Sequence, residues 1–95
     1  YEQLAGQQPP LSPTVFIRLG EIRFRQGRPD DAERILRRCL AIWSESAEAH
    51  DRLAGILLKT KRVQLARHHI DRAVRLAPDN PTYRAHHRAI HAAVP

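Results

Sequence analysis

When the sequence is shifted by 34 positions, its apolar and small residues fall on residues of the same kind. The matched pairs include Leu19 and Leu53, Ala32 and Ala66, and Leu36 and Ile70. A helix-capping residue precedes a helix start once in each period, at Ser12-Pro13, Ser46-Ala47 and Asn80-Pro81. A fixed period of about 34 residues is typical of stacked helix pairs, none of which can bury its apolar face alone. The sequence therefore predicts an array of helical hairpins, an architecture suited to holding a partner rather than to catalysis.

Helical periodicity predicts an all-α chain with two hairpins and a last helix. Within each period the apolar residues recur at the spacing that places them on one face of a helix. Gly27 is expected to end the first helix, and Pro29, Asp30 and Asp31 to begin the second, because proline and carboxylates favour helix N-termini. Six residues on the apolar faces are expected to be largely buried: Leu19, Leu36, Leu40, Leu53, Ile70 and Val74.

Residues 81–95 are expected to form a capping helix. One of its faces can cover the preceding hairpin and carries Tyr83, Ala89, Ile90 and Val94. The opposite face is polar and carries Arg84, His87, Arg88 and His91. Because a terminal repeat needs a polar outer face to stay soluble, this helix is expected to close the array.

The residues that carry the repeat resemble the tetratricopeptide repeat (TPR) family. Its pattern is a large residue, Leu-Gly and an aromatic, followed by alanine, a second aromatic and a closing proline. The first copy reads Phe16, Leu19, Gly20, Arg23, Ala32, Leu36 and Ser44. The second copy reads His50, Leu53, Ala54, Leu57, Ala66, Ile70 and Pro78. Arg23, Ser44 and His50 depart from the pattern. The resemblance implies an α-α superhelix of TPR type that acts as a protein-interaction module and not as an enzyme.

The resemblance divides the chain into four parts. They are an N-terminal segment 1–12, a first repeat 13–46, a second repeat 47–80, and a capping helix or partial third repeat 81–95. Two interpretations of residues 1–12 stay open. Ala5 and Pro10 fall where the family has its late alanine and closing proline, which indicates the tail of a preceding repeat helix. The stretch from Gly6 to Pro10 is also typical of a linker. Because the chain opens on Tyr1 rather than Met, we expect a fragment of a longer protein.

In TPR proteins the first helix of each hairpin lines a concave groove, and the resemblance implies a partner-binding site there. The corresponding residues are Arg18, Glu21, Phe24, Arg25, Arg52, Leu58, Lys59 and His86. Arg18 and Arg25 lie seven positions apart on one helix, and Arg52 and Lys59 repeat this spacing on another. Stacking of the helices is expected to align these four side chains in one basic row, which His86 continues. The expected ligand is a protein or peptide segment of acidic character. The alternative is that these residues are ordinary solvated helix surface.

One ligand class of this family is not expected. Chaperone-binding TPR members grip a C-terminal carboxylate with lysine, asparagine and arginine side chains at five groove positions. Those positions are Ile17, Glu21, Arg52, Thr82 and His86 in this chain. Four of the five lack the required chemistry, so a clamp for a terminal carboxylate is not predicted.

The formal net charge of +6 raises the question of nucleic acid. Fourteen of the sixteen basic residues are arginine, a side chain well suited to phosphate contacts. However, acidic residues are interspersed among them on every helix of the two hairpins, and no aromatic row is available for base stacking. A nucleic-acid partner is therefore not expected, and the frequent use of arginine and alanine is typical of a GC-rich, bacterial genome.

Neither a metal site nor a catalytic site is predicted. His87 and His91 lie one helical turn apart, the spacing of two metal ligands, but no carboxylate or cysteine accompanies them at a matching position of the last helix. Cys39 falls at a predicted helix contact, where a buried thiol is a poor nucleophile. His50 stands at an aromatic core position. No cofactor is expected.

The sequence carries no apolar stretch approaching the roughly 18 residues of a membrane span. A lone cysteine is consistent with a reducing compartment, so a cytoplasmic location is expected.

An alternative function also stays open, in which the chain is a structural element that self-assembles or docks other domains. Its N-terminal edge, near Ile22 and Trp43, could pair with a second copy to give a homodimer. The parent protein could also be an enzyme, such as a glycosyltransferase or sulfotransferase, with its active site elsewhere.

Overall fold

The computed structural model describes residues 12–93 and contains five α-helices and no strand in that range. The helices are α1 (Pro13–Arg25), α2 (Pro29–Ile42), α3 (Ala47–Lys59), α4 (Val63–Leu76) and α5 (Pro81–Ala93). The hairpins α1–α2 and α3–α4 are followed by α5, which confirms the predicted all-α architecture. Residues 1–11, 94 and 95 lie outside the described range, and so do the two interpretations of the N-terminal segment.

The helix starts follow the capping residues seen in the sequence. Ser46 Oγ accepts a hydrogen bond from the Ala49 amide at 3.2 Å, and Asn80 Oδ1 accepts one from the Tyr83 amide at 3.0 Å. Each bond satisfies an amide that the first turn of a helix leaves without a backbone partner. Ser12 precedes α1 in extended conformation but makes no side-chain capping bond.

The turns inside the two hairpins have the same geometry. Gly27 has φ of 77°, its amide donates to Phe24 O at 3.0 Å, and the next amide, of Arg28, donates to Arg23 O at 2.9 Å. Lys61 lies one period later with φ of 66°. The pair of hydrogen bonds is the Schellman motif, which ends a helix through one residue in the left-handed region. Gly27 therefore ends the first helix as predicted.

The core lies between the helices of each hairpin and between the two hairpins. The largest fully buried side chains are Leu36, Cys39, Leu53, Leu57 and Ile70. Gly20 allows α1 to approach α2 closely, since a Cβ at this position would lie 3.2 Å from Leu36 Cγ. Leu36, Leu53 and Ile70 are thus buried as expected, whereas Leu40 and Val74 are only half-buried.

The expectation for Leu19 is wrong, because its side chain is 37% exposed. Val15, Leu19 and Ile22 share one face of α1, and all three are exposed. The matching residue of the second repeat, Leu53, is fully buried because α2 packs against its helix. Among the described residues no helix stands in that position before α1. The repeat pattern thus identified the face correctly, but its burial depends on a neighbouring helix, and none precedes α1 among residues 12–93.

The last helix also differs in part from expectation. Ile90 is buried and Tyr83 packs against the core, as predicted for a cap. Ala89 is exposed instead of covering the hairpin, and Val94 lies outside the described residues. His87 and His91 are half-buried and contact α4, so they are not part of a freely solvated outer face.

Candidate partner-binding groove

The first helices of the two hairpins and the last helix form a row, since α1 contacts α3 and α3 contacts α5. Two adjoining cavities lie along this row. The first has a volume of about 240 Å³ and is lined by Glu21, Phe24, Arg25, Leu36, Arg52, Gly55, Ile56 and Lys59. The second has a volume of about 150 Å³ and is lined by Asp51, Arg52, Gly55, Leu58, His86, Ala89 and Ile90. Because Arg52 and Gly55 line both cavities, the two adjoin along α3, and we call the pair the groove.

Seven of the eight residues expected to bind a partner line this groove. The exception is Arg18, which is exposed on α1 but lines neither cavity. Their role in binding stays a prediction. The lining also includes Leu36, Asp51, Gly55, Ile56, Ala89 and Ile90, which are not among the eight expected residues. The repeat positions of Asp51 and Gly55 on the groove face gave a usable signal, whereas Ile90 was expected only to cover the hairpin.

Gly55 opens the centre of the groove. It lies within α3, is exposed, and a Cβ built on it would meet no atom within 4 Å. Glycine inside a helix is less favourable than alanine by about 1 kcal/mol, so this residue weakens α3 locally. The absence of a side chain leaves the floor between the two cavities clear for a ligand backbone or side chain.

The expected basic row is interrupted at Arg52. Its Nε lies 3.0 Å from Glu21 Oε2, and its Nη2 lies 3.4 Å from Glu48 Oε2. The Nε atom is shielded from solvent and makes no hydrogen bond, so its contact with Glu21 is close in distance but poorly directed. Two carboxylates therefore offset the charge of this guanidinium. Arg52 therefore presents less positive charge to a ligand than the sequence predicted.

Two basic side chains of the first cavity, one on α1 and one on α3, are not paired with a carboxylate of the described residues. Arg25 and Lys59 are exposed there, and no carboxylate within residues 12–93 approaches either within 4.0 Å. Both lie in the last turn of their helices, where a cation is favoured by the helix dipole. An acidic ligand group would meet these two cations first.

The second cavity has different electrostatics. Asp51 is buried, and its Oδ1 accepts a hydrogen bond from His86 Nδ1 at 2.7 Å. A carboxylate paired with imidazole adds no net positive charge, so His86 does not continue the basic row in the way the sequence predicted. Leu58, Ala89 and Ile90 give this cavity an apolar wall, and Arg52 lies at its boundary with the first cavity. This end of the groove suits an apolar side chain.

The residues that could have suggested catalysis lie in the core. Cys39 is fully buried, and burial raises the pKa of its thiol, which disfavours the nucleophilic thiolate. His50 is buried at the aromatic position of the second repeat, as expected from the sequence. Neither residue lines the groove.

The chain resembles known proteins in its sequence pattern and in its fold. A family model described as tetratricopeptide repeat matches residues 2–90. No curated protein sequence matches the chain. Among the matching solved structures is the first TPR of Spaghetti (RPAP3) bound to the HSP90 peptide SRMEEVD, with a TM-score of 0.79 and 20% sequence identity. The alignment covers 86% of this chain and 65% of that one. At this identity the likeness shows the fold alone.

The part of the chain that the structure describes holds no helix long and apolar enough to cross a membrane. The match over residues 2–90 spans both hairpins and most of the last helix, and the five helices reproduce the fold of a solved TPR domain. The chain is therefore a member of the tetratricopeptide repeat family.

Proposed function

We propose that the chain is a protein-interaction module that binds an extended segment of a partner protein in the groove along α1, α3 and α5. The observation that carries this proposal is that the two cavities adjoin at Arg52 and Gly55, where Gly55 places no side chain between them. Adjoining cavities suit neighbouring side chains of one segment, whereas distant cavities would each hold a single side chain. The solved TPR domain of similar fold is itself bound to a peptide, which supports this class of ligand.

The two cavities favour an acidic residue near an apolar one in the ligand. In the first cavity, an acidic side chain would reach Arg25 and Lys59, while Phe24 and Ile56 provide apolar contact. In the second cavity, an apolar side chain would pack among groups that include Leu58, because the buried Asp51 repels a ligand carboxylate there. The groove thus distinguishes the two ends of the segment.

We further propose that the ligand is an internal segment rather than a chain terminus. At the positions where chaperone-binding TPR members hold a terminal carboxylate, Ile17 is buried and Glu21 is acidic. Arg52 is already paired with two carboxylates, and His86 is engaged by Asp51. A terminal carboxylate would find no unpaired cation among these residues.

The test uses a peptide selected on the purified chain from a displayed random library, because the natural partner is unidentified. Neutralising both available cations, with Arg25→Gln and Lys59→Gln, is expected to slow association about tenfold at low salt and to flatten its salt dependence. The control is Arg67→Gln with Arg75→Gln, which removes the same charge from α4, away from the groove. Association rates are measured by stopped-flow fluorescence of the labelled peptide at several salt concentrations.

The comparison is decisive because both double variants carry the same net charge. If the α4 variant slows association as much as the groove variant, attraction is to the whole basic molecule and the groove proposal fails. The same holds if the selected peptides contain no acidic residues and bind both variants as they bind the unmodified chain.

A further inference from the structure

Three potential metal ligands from two helices meet beside the last hairpin. His87 and His91 lie one turn apart on α5, with ring centroids 4.1 Å apart. Asp71 on α4 faces both, and its Oδ1 lies 3.1 Å from His87 Nε2 and 2.8 Å from His91 Nε2. The three ligand atoms all lie within 4.8 Å of one another. This cluster is separate from the groove, whose lining residues include none of the three.

The sequence predicts no metal site because it shows no third ligand near His87 and His91, and the cluster provides one. That expectation rested on the lack of a third ligand at a matching position of the last helix. The packing of α5 against α4 supplies Asp71 from the neighbouring helix. Sequence spacing within one helix could not reveal this contact, because Asp71 precedes His87 by sixteen residues.

We propose that Asp71, His87 and His91 bind one Zn²⁺ ion. Zinc takes imidazole nitrogen and carboxylate oxygen in tetrahedral arrangements, and three protein ligands leave one position for water. Metal–ligand distances of about 2.1 Å place neighbouring ligand atoms roughly 3.4 Å apart. The observed separations of 2.8 and 3.1 Å are therefore shorter than this by about 0.6 and 0.3 Å. Small rotamer adjustments suffice to admit the ion.

Both imidazole Nε2 atoms face the same Asp71 oxygen, so an ion placed among the three atoms would exchange two hydrogen bonds for three coordination bonds. Each histidine would then bind through Nε2 as a neutral ring that keeps its proton on Nδ1, because a metal-bound imidazole nitrogen must be deprotonated.

Access and charge set the expected strength of the site. The side chains of Asp71, His87 and His91 are 36%, 35% and 33% exposed, so an ion can enter without unfolding and water can complete its coordination. The net charge of +6 opposes a divalent cation, which favours micromolar rather than nanomolar affinity. Because the ligands come from α4 and α5, a bound ion would fasten the last helix to the preceding hairpin.

The experiment titrates ZnCl₂ into chelator-treated, dialysed protein near neutral pH by isothermal titration calorimetry. The expected result is one ion per chain, with affinity reduced at least tenfold in Asp71→Asn, His87→Ala and His91→Ala. The control is His68→Ala, which removes an exposed histidine of α4 outside the cluster and should leave the affinity unchanged. Thermal unfolding with and without zinc is the second readout, since an ion bound only by the folded state raises the melting temperature.

The six histidines of the chain make nonspecific binding the competing outcome. Absence of binding at micromolar concentrations would overturn the proposal, and so would several weak sites or equal loss of affinity in His68→Ala. Asp71→Asn keeps side-chain size and can still bond to one histidine, so it tests the site even where an alanine variant loses helix content by circular dichroism. Zinc binding by Asp71→Asn with unchanged affinity would also contradict the assignment.

Discussion

His50 and His69 are buried side by side, and their contacts determine which ring nitrogen of each carries hydrogen. His50 Nε2 lies 3.0 Å from Ser44 O, and a carbonyl oxygen can only accept, so this nitrogen is protonated. His50 Nδ1 of the neutral ring must then accept a hydrogen bond from His69 Nδ1, 3.0 Å away. The arrangement satisfies these hydrogen bonds only while His50 is neutral. A proton added to His50 Nδ1 would face the donor of His69.

This pair predicts acid sensitivity. Burial, reinforced by the neighbouring charge of His50, lowers the pKa of His69 from 6.5 to about 4, and burial also lowers the pKa of His50. The unfolded chain thus binds more protons between these pH values, so the free energy of unfolding falls as pH decreases from 6.5 to about 4. We expect His69 to contribute roughly 1–3 kcal/mol to this loss.

Urea unfolding at a series of pH values measures the effect. His69→Gln is the matched control, because its amide can still donate to His50 but does not titrate. The variant is expected to lose less stability over the same pH interval. Equal pH dependence in both proteins would show that His69 is not protonated on unfolding.

Residue positions on the groove could be predicted from the sequence, but the pairing of those residues could not. The repeat position placed Phe24, Arg25 and Lys59 on the correct face. The partners of Arg52, namely Glu21 and Glu48, depend on how α1 rotates and packs against α3. Contacts between helices are set by side-chain packing, which a one-dimensional period does not encode.

At the scale of elements, the helix boundaries follow from local chemistry. Prolines begin α1, α2 and α5, and the two hairpin turns place Gly27 and Lys61 in the left-handed region. These signals are short-range and could be predicted from sequence. The exposure of α1 could not, because it depends on whether another helix precedes it. Leu19 and Leu53 occupy equivalent positions, yet only Leu53 is covered.

Lys61 provides a test of the turn geometry. Its φ of 66° is unfavourable for a residue with a Cβ, whereas glycine adopts this conformation readily. Lys61→Gly is therefore expected to raise the free energy of unfolding by about 0.5–1 kcal/mol, even though the side chain is exposed. Lys61→Ala removes the same charge but keeps the strain and should not be stabilising. If the alanine variant matches the glycine variant in chemical denaturation, charge rather than backbone conformation explains the gain.

For the whole molecule, the stacking of two hairpins creates a groove that neither hairpin contains. The first cavity needs α1 and α3, and the second needs α3 and α5. The last helix thus has two roles, since it covers the core with Ile90 and supplies one wall of the groove. The packing of the last helix therefore affects both the core and the shape of the candidate groove.

The most direct test of the groove is a steric block at its centre. Gly55→Phe fills the floor shared by the two cavities, where a Cβ meets no other atom within 4 Å, so the fold should tolerate the change. Gly55→Ala is the matched control, and it is expected to raise helix stability by about 1 kcal/mol while leaving the groove open. Affinity of the library-selected peptide is measured for both variants by fluorescence anisotropy. We expect Gly55→Phe to weaken binding at least tenfold and Gly55→Ala to change it less than twofold. Unchanged affinity in a folded Gly55→Phe variant would contradict the central claim and place the binding surface outside the groove.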